Sequence, residues 1–317
     1  MKDFGTALMN PSCRALCRAL ALAAFLLPAA AAVIAEPPGA AGDFRKTVVV
    51  AGVARSWLLH VPAAYSADRP TPVVLLLHGG GGRAASIERS TGGFSALADR
   101  HGFIAVYPES RRGHWDDGRE TVTDHTDDVA FIGALLDALA AEYRVDARRI
   151  YAAGISNGGM MSMRLACELP ARIAAIATVG ANMPAALAAT CRPGRAVPLV
   201  MFAGTADPLM PYAGGRVRGR VGGAVLSVPE TAAFWARNNG GAVNPLTQTL
   251  ADADPGDGTT TDLLDYPGKV ALYRINDGGH TWPGGSQYLP VRLIGNVSRD
   301  FSANDVINAF FSRHALP

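Results

Sequence analysis

Short apolar runs typical of β-strands alternate along this 317-residue chain with segments in which apolar residues recur at helical spacing. The predicted strands cover residues 57–61, 73–77, 103–107, 149–155, 173–179, 197–202 and 270–275. The predicted helices cover residues 130–143, 158–169, 230–238 and 304–314. This alternation predicts an α/β fold, in which helices cover both faces of a mostly parallel sheet. Because sites in such sheets lie beyond the carboxyl ends of the strands, functional residues are expected in the loops that follow them.

The first 35 residues have the pattern of a secretory signal peptide. Basic residues precede an Ala- and Leu-rich run over residues 19–35, which is short for a membrane span and is interrupted by Pro28. The basic residues are Lys2, Arg14 and Arg18. We predict cleavage after Ala35, a single domain over residues 36–317, and a secreted or periplasmic location. A retained membrane anchor is the alternative, but no charged stop-transfer flank follows the apolar run.

The charge balance argues against a polyanionic partner. The whole chain has a formal net charge of +2. The predicted signal peptide, with three basic residues and one acidic residue, carries that same surplus, so the remainder is formally neutral. We therefore expect binding neither to nucleic acid nor, after cleavage, to a membrane.

Two of the four cysteines lie outside the predicted signal peptide. Cys13 and Cys17 fall within it, whereas Cys167 and Cys191 remain. An even pair in an exported protein predicts a disulfide, with two buried free thiols as the alternative.

Residues 154–158 read Gly-Ile-Ser-Asn-Gly, between a predicted strand and a predicted helix. In this context the pattern G-x-S-x-G predicts a nucleophile elbow, a sharp turn that lifts Ser156 clear of the sheet. The glycines let strand and helix approach each other, and the helix N-terminus favours developing negative charge. The pattern is common by chance, so it needs a base and an acid elsewhere in the chain.

A base and an acid follow in the order that a nucleophile elbow requires, serine, then acid, then histidine. Asp207 comes just after the strand predicted at 197–202, and His280 just after the strand at 270–275. Asp207 is expected to accept Nδ1–H of His280, which leaves Nε2 to take the proton of Ser156. Taken alone, Asp207 could be a turn former before a proline, and His280 a loop histidine. The order and positions of all three favour a catalytic triad.

A glycine run after the strand at 73–77 predicts an oxyanion site. Backbone N–H groups of glycines can face a substrate oxygen without intervening side chains, so Gly80 or Gly81 is expected to supply one donor and the Asn157 N–H the other. A phosphate-binding loop is the rival interpretation, but no Lys-Ser/Thr pair follows the glycines. His78 is interpreted as a structural hydrogen-bonding residue.

Acidic residues and histidines crowd one polar stretch without the spacing of a standard zinc or calcium loop. They are His114, Asp116, Asp117, Asp124, His125, Asp127 and Asp128. We predict a solvated loop in which Asp127 or Asp128 helps to start the following helix, and no metal or other cofactor.

Six segments together resemble the secreted poly(3-hydroxybutyrate) depolymerase-like esterases, a grouping that includes feruloyl and acetylxylan esterases. The segments are "LLLHGGGG", "DDVAFI", "GISNGGMM", "GTADPLMPYAGG", "PETAAFWARNNG" and "GGHTWPGG". The resemblance covers nearly the whole chain after residue 35. It implies an α/β-hydrolase fold with Ser156, Asp207 and His280 as the triad, and Trp282 beside the substrate. Gly241 stands where many relatives have a cysteine, so no second disulfide is expected there.

The resemblance implies a serine ester hydrolase that acts through an acyl-enzyme on hydroxyalkanoate esters, polymeric or oligomeric. Feruloyl or acetylxylan esterase activity, and acyl transfer to an alcohol, are the nearest alternatives. A serine peptidase and an inactive binding protein are further ones. Trp115 and Trp282, with Tyr288, could line an aromatic substrate pocket or pack in the core. The sequence does not predict the oligomeric state.

Overall fold

The computed structural model describes residues 39–123 and 126–317, so the predicted signal peptide lies outside the described residues. Strands β1 to β12 are Gly42–Val50, Val53–Val61, Thr71–Leu77, Ile104–Pro108, Val145–Ile155, Ala175–Val179, Leu199–Gly204, Gly215–Arg216, Ala224–Val225, Leu246–Thr249, Thr260–Tyr266 and Val270–Asn276. Helices α1 to α8 are Ala84–Ser90, Phe94–His101, Asp128–Glu142, Asn157–Glu168, Ala185–Thr190, Val228–Asn238, Val291–Ile294 and Ala303–Phe311. Within the described ranges, no helix combines the length and apolarity needed to cross a bilayer.

Ten of the strands form one sheet, in the order β1-β2-β4-β3-β5-β6-β7-β12-β11-β10. The six central strands, from β4 to β12 in that order, pair in parallel. Antiparallel strands flank them on both sides, β2 and β1 at one edge and β11 and β10 at the other. The prediction of an α/β fold with a mostly parallel sheet is therefore confirmed, and every predicted strand and helix overlaps an observed one.

The unbroken apolar run in β3 reflects burial on both faces of the sheet. Alternate side chains of a strand point to opposite faces. Val73 and Leu75 belong to one core cluster, with residues of α3, α4 and α6. Val74 and Leu76 belong to a second cluster, with residues of α1, α2 and α8. The two helical layers thus exclude water from the central strands. The parallel pairing of these strands brings their carboxyl ends to one edge of the sheet.

A disulfide joins Cys167 and Cys191, with the two Cα atoms 5.2 Å apart, as the cysteine pair predicted. Cys167 lies in the last turn of α4, and Cys191 follows α5 directly. The bond therefore ties the helix that starts beside Ser156 to the segment that follows β6.

Replacing both cysteines by alanine should lower the free energy of unfolding by about 3 kcal/mol, because the disulfide restricts the unfolded chain. Denaturant unfolding of the variant and the wild type measures this difference. The kcat for an ester should change little, since neither sulfur is required for acyl transfer. Intact-mass measurement of unreduced, alkylated wild-type protein provides the control. Two alkylated thiols, or a variant as stable as the wild type, would contradict the prediction.

Candidate active site

Ser156 lies on a strained turn between β5 and α4. Its backbone has φ 56° and ψ −124°, a region that non-glycine residues rarely adopt. Its N–H donates to the carbonyl of Val179 at 2.8 Å, and its own carbonyl accepts the N–H of Met160 at 2.9 Å. The turn is therefore held from the neighbouring strand and from the first turn of α4, in the geometry expected of an elbow.

The glycines on either side of Ser156 are required by close approach of the backbone. A Cβ atom on Gly154 would lie 2.5 Å from the carbonyl carbon of Gly158. A Cβ atom on Gly158 would overlap the carbonyl oxygen of Leu77 at the end of β3. Any larger residue at either position would push the strand and helix apart, so the turn needs both glycines.

His280 and Asp207 form a buried pair. Nδ1 of His280 lies 2.7 Å from Oδ2 of Asp207, and only 4% and 2% of the two side chains are exposed. The second carboxylate oxygen, Oδ1, accepts the backbone N–H groups of Leu209 and Met210, each at 2.8 Å. Asp207 therefore serves both as a turn former and as the partner of His280, which the sequence presented as alternatives.

The loops around His280 hold it on both sides. Its backbone N–H donates to the carbonyl of Ile294 at 2.5 Å, and its carbonyl accepts the hydroxyl of Tyr288 at 2.8 Å. Gly180, after β6, faces the pair: a Cβ atom there would lie 3.0 Å from Nδ1 of His280 and 3.3 Å from Oδ2 of Asp207. Gly180 directly follows a predicted strand, but no motif in the sequence marks it as part of the site.

The sheet topology brings the three predicted triad residues to one edge. Ser156 follows β5, Asp207 follows β7 and His280 follows β12, and these strands run in parallel within the order β5-β6-β7-β12. Ser156 and His280 line the same cavity, of about 1250 Å³, together with the glycine run at 79–82.

Within the glycine run, Gly80 is the better placed of the two candidate oxyanion donors. The N–H of Gly81 donates to the carbonyl of Gly113 at 2.8 Å, so it is engaged within the protein. A Cβ atom on Gly80 would lie 2.6 Å from Cε1 of His114, so a larger residue there would have to displace that ring. His78 is buried, with Nδ1 2.8 Å from the carbonyl oxygen of Gly79. Desolvation lowers the pKa of His78, which agrees with a neutral structural role.

The side chain of Asn157 is buried and fully used in fixing the start of α4. Its Oδ1 accepts the N–H of Trp115 at 2.8 Å, and its Nδ2 donates to the carbonyl of Trp115 and to Oδ2 of Asp117, at 3.0 and 2.6 Å. Asp117 in turn pairs with Arg119, with Nη2 2.8 Å from Oδ2. Asp117 and Arg119 thus position the residue after Ser156, a role that no sequence pattern indicated.

The two tryptophans expected beside the substrate are buried in the core and do not line the cavity. The indole N–H of Trp115 donates to the carbonyl of His78 at 2.9 Å, and that of Trp282 donates to Oδ1 of Asn304 at 2.9 Å. These contacts agree with the packing alternative, because both rings are buried and each indole N–H is bonded inside the protein. Tyr288, the third aromatic candidate, does line the cavity.

The acidic stretch is held by ion pairs and a helix cap, and the prediction of a solvated loop is wrong for Asp117 and Asp128, whose side chains are fully buried. Asp127 caps α3 by accepting the N–H of Ala130, at 2.8 Å, as predicted. Asp128 is buried and pairs with Arg55 at 2.6 Å, while desolvation raises its pKa. Within residues 39–123 and 126–317, no group of His, Cys, Asp or Glu is arranged to hold a metal ion. Asp124 and His125 lie outside the described residues.

The chain is similar in sequence to known esterases. The model of the family described as "Esterase PHB depolymerase" matches residues 55–204. The "Putative esterase NocK" of Nocardia uniformis subsp. tsuyamanensis is 33% identical over 85% of this chain and 83% of its own length. The chain belongs to the poly(3-hydroxybutyrate) depolymerase-like esterase family. It is an esterase of that family.

Other members and neighbours of this esterase family have different named substrates. "Feruloyl esterase B" of Piromyces equi is 30% identical over 71% of this chain, which spans 42% of that protein. "Poly(3-hydroxyalkanoate) depolymerase C" of Paucimonas lemoignei is 31% identical over 35% of this chain and 27% of its own length. The acetyl xylan esterase from Aspergillus awamori has a TM-score of 0.60 at 16% identity, covering 85% of this chain and 99% of its own. That likeness shows a shared α/β-hydrolase fold.

Proposed function

We propose that this esterase is a secreted serine hydrolase in which Ser156 is the nucleophile, His280 the general base and Asp207 the residue that orients the imidazole. The observation that carries the proposal is the buried His280–Asp207 pair beside a cavity that His280 shares with the strained Ser156. Nδ1–H of His280 donates to Asp207, which leaves the Nε2 lone pair for the hydroxyl proton of Ser156.

The reaction proceeds through an acyl-enzyme. Oγ of Ser156 bonds to the ester carbonyl carbon while its proton passes to Nε2 of His280. The alkoxide of the substrate then leaves with that proton, so the acyl group remains on Ser156. In the second half of the reaction, a water molecule loses a proton to Nε2 of His280 and its oxygen bonds to the acyl carbon. The bond between that carbon and Oγ of Ser156 then breaks, Oγ takes the proton back from His280, and a carboxylic acid is released.

Backbone N–H groups of Gly80 and Asn157 are proposed to stabilise the oxyanion of each tetrahedral intermediate. Asn157 occupies the first position of α4, where N–H groups point away from the helix and the helix dipole favours negative charge. Because the Asn157 side chain is held by Trp115 and Asp117, this donor is fixed before substrate arrives.

The lining of the cavity favours an aliphatic ester. Aliphatic and thioether side chains form its apolar surface: Ile87, Val122, Ile155, Met160, Leu209, Met210, Val217, Val221 and Leu289. Among the described lining residues, Tyr288 supplies the one phenol ring. A feruloyl group would gain from stacked rings, whereas a short hydroxyalkanoate chain needs aliphatic contact. We therefore propose poly- or oligo-3-hydroxybutyrate esters as the substrate class.

Export of the enzyme is proposed from two features. The pattern of residues 1–35 is that of a signal peptide. The Cys167–Cys191 disulfide fits an oxidising compartment.

A hydrolysis panel tests the substrate class, with 3-hydroxybutyrate oligomers, methyl ferulate, acetylated xylan and 4-nitrophenyl butyrate as substrates. We expect the highest kcat/KM among the natural esters for the hydroxybutyrate oligomers. Product analysis in the presence of a competing alcohol separates hydrolysis from acyl transfer, and we expect the free acid to dominate. A higher kcat/KM for methyl ferulate or acetylated xylan would contradict the proposed substrate class and leave the triad assignment standing.

A further inference from the structure

Basic side chains dominate the charged lining of the cavity. Five arginines line it: Arg89, Arg112, Arg119, Arg218 and Arg220. Among the described lining residues, Asp116 is the one carboxylate, and its Oδ1 is engaged by Nη1 of Arg164 at 2.8 Å. Since the chain as a whole has almost balanced charge, this surplus of arginine is a local property of the cavity.

Three of these arginines, Arg89, Arg218 and Arg220, are exposed and are not committed to the protein itself, and Arg218 and Arg220 lie together on one segment of the chain. The guanidinium of Arg119 is buried against Asp117 and the carbonyl of Gly222. By contrast, Arg218 and Arg220 are exposed, and no ion pair or side-chain hydrogen bond within the described ranges involves either of them. Their guanidinium groups are therefore available to an anion that enters the cavity.

Arg218 and Arg220 lie on the segment of residues 217–222, which is hydrogen-bonded to residues around the proposed triad. The N–H of Arg218 donates to the carbonyl of Leu209 at 2.9 Å, and the Leu209 N–H donates to Oδ1 of Asp207 at 2.8 Å. Further along the segment, Nη1 of Arg119 donates to the carbonyl of Gly222 at 2.5 Å. The backbone at Arg218 thus has a fixed position two hydrogen bonds away from Asp207.

Apolar side chains lie on the same segment and pack against it. Val217 is buried in a small cluster with Met160 and Met210, and all three line the cavity. An apolar wall next to exposed arginines matches a substrate with an aliphatic body and one anionic end. Short hydroxyalkanoate oligomers have this form, because each ends in a free carboxylate.

We propose that Arg218 and Arg220 bind a carboxylate of the substrate, so that the enzyme prefers esters with a free carboxylate to neutral ones. This inference rests on the proposed function and narrows its substrate class to carboxylate-terminated oligoesters. No covalent bond of this carboxylate forms or breaks in the reaction. The arginines hold the end of the substrate while Oγ of Ser156 attacks its ester bond.

The test compares the linear 3-hydroxybutyrate trimer as its free acid with the same trimer as its terminal carboxamide, which has nearly the same size and no charge. We expect the wild type to favour the acid by about tenfold in kcat/KM, a typical gain from charge-assisted hydrogen bonds. The variant Arg218→Ala/Arg220→Ala should lose most of that ratio. Arg237→Ala removes an exposed arginine on α6, outside the cavity, and should keep the ratio. Added salt should lower the wild-type ratio.

The possible outcomes separate this inference from the proposed function. A wild type that cleaves both trimers equally, or a double variant that retains the preference for the acid, would overturn the carboxylate site and leave the esterase mechanism intact. Failure of the wild type to cleave either trimer or 4-nitrophenyl butyrate would contradict the proposed function itself. Calorimetric titration of Ser156→Ala with the acid trimer gives a second readout. Binding should weaken when Arg218 and Arg220 are also replaced, and unchanged binding would count against the site.

Discussion

Ser156→Ala should abolish ester hydrolysis, with kcat falling by about 10⁶-fold, since members of a triad fail as a unit and only residual stabilisation by the oxyanion donors remains. The fold should survive, because Ser156 is held by backbone hydrogen bonds to Val179 and Met160 that alanine can also make. Initial rates on 4-nitrophenyl butyrate, together with circular dichroism and a thermal melt, provide the measurement.

Ser162→Ala is the matched control for this variant. Ser162 lies on the same helix, α4, where its buried hydroxyl donates to the carbonyl of Gly158 at 3.0 Å. Its loss should affect stability slightly and kcat little. If Ser156→Ala turned over the ester at a rate near wild type, with contaminating esterase excluded, the assignment of the nucleophile would be wrong.

Asp207→Asn should lower kcat by about 10⁴-fold, because an amide that donates to Nδ1 of His280 would favour the wrong imidazole tautomer. The other carboxylate contacts of Asp207 are with the N–H groups of Leu209 and Met210, which the amide oxygen can still accept. The loop should therefore keep its shape. Rates on 4-nitrophenyl butyrate, corrected for the folded fraction, measure the effect.

Asp128→Asn provides the contrast. Asp128 is buried and bonded to Arg55, so its neutralisation should cost stability, about 3 kcal/mol for a broken buried pair, while kcat per folded molecule changes little. Denaturant unfolding measures the first effect and the ester assay the second. Should Asp128→Asn reduce kcat more than Asp207→Asn at equal folded fraction, the acid would have been assigned to the wrong residue.

The central sheet could be predicted because its strands are buried on both faces. In β3 and β5 this burial produces continuous apolar runs that are visible without any partner. The edges of the sheet could not be predicted in the same way. All four residues of β10, Leu246–Thr249, are exposed, and β1, Gly42–Val50, alternates between intermediate and exposed residues. Such strands depend on a neighbouring strand for their hydrogen bonds, and their own residues do not indicate which strand that is.

The three residues of the proposed triad could be selected from the sequence because each follows a strand predicted from its apolar run, in the order serine, acid, histidine. The supporting residues could not, because their roles depend on contacts between distant segments. Asp117 reaches Asn157 across 40 residues of chain, and Gly180 faces the pair of His280 and Asp207. The tryptophans illustrate the same difficulty. The family resemblance implied substrate contact for Trp282, whereas its indole packs in the core and bonds to Asn304.

Labelling with a serine-directed fluorophosphonate, followed by peptide mass mapping, tests the central claim most directly. The reagent reacts much faster with a serine that an adjacent base has activated than with an ordinary serine. We predict one adduct per molecule, on the peptide that contains Ser156, and markedly slower labelling in Asp207→Asn. Labelling at another serine, or no labelling of folded and active enzyme, would contradict the assignment of Ser156, Asp207 and His280 as the catalytic triad.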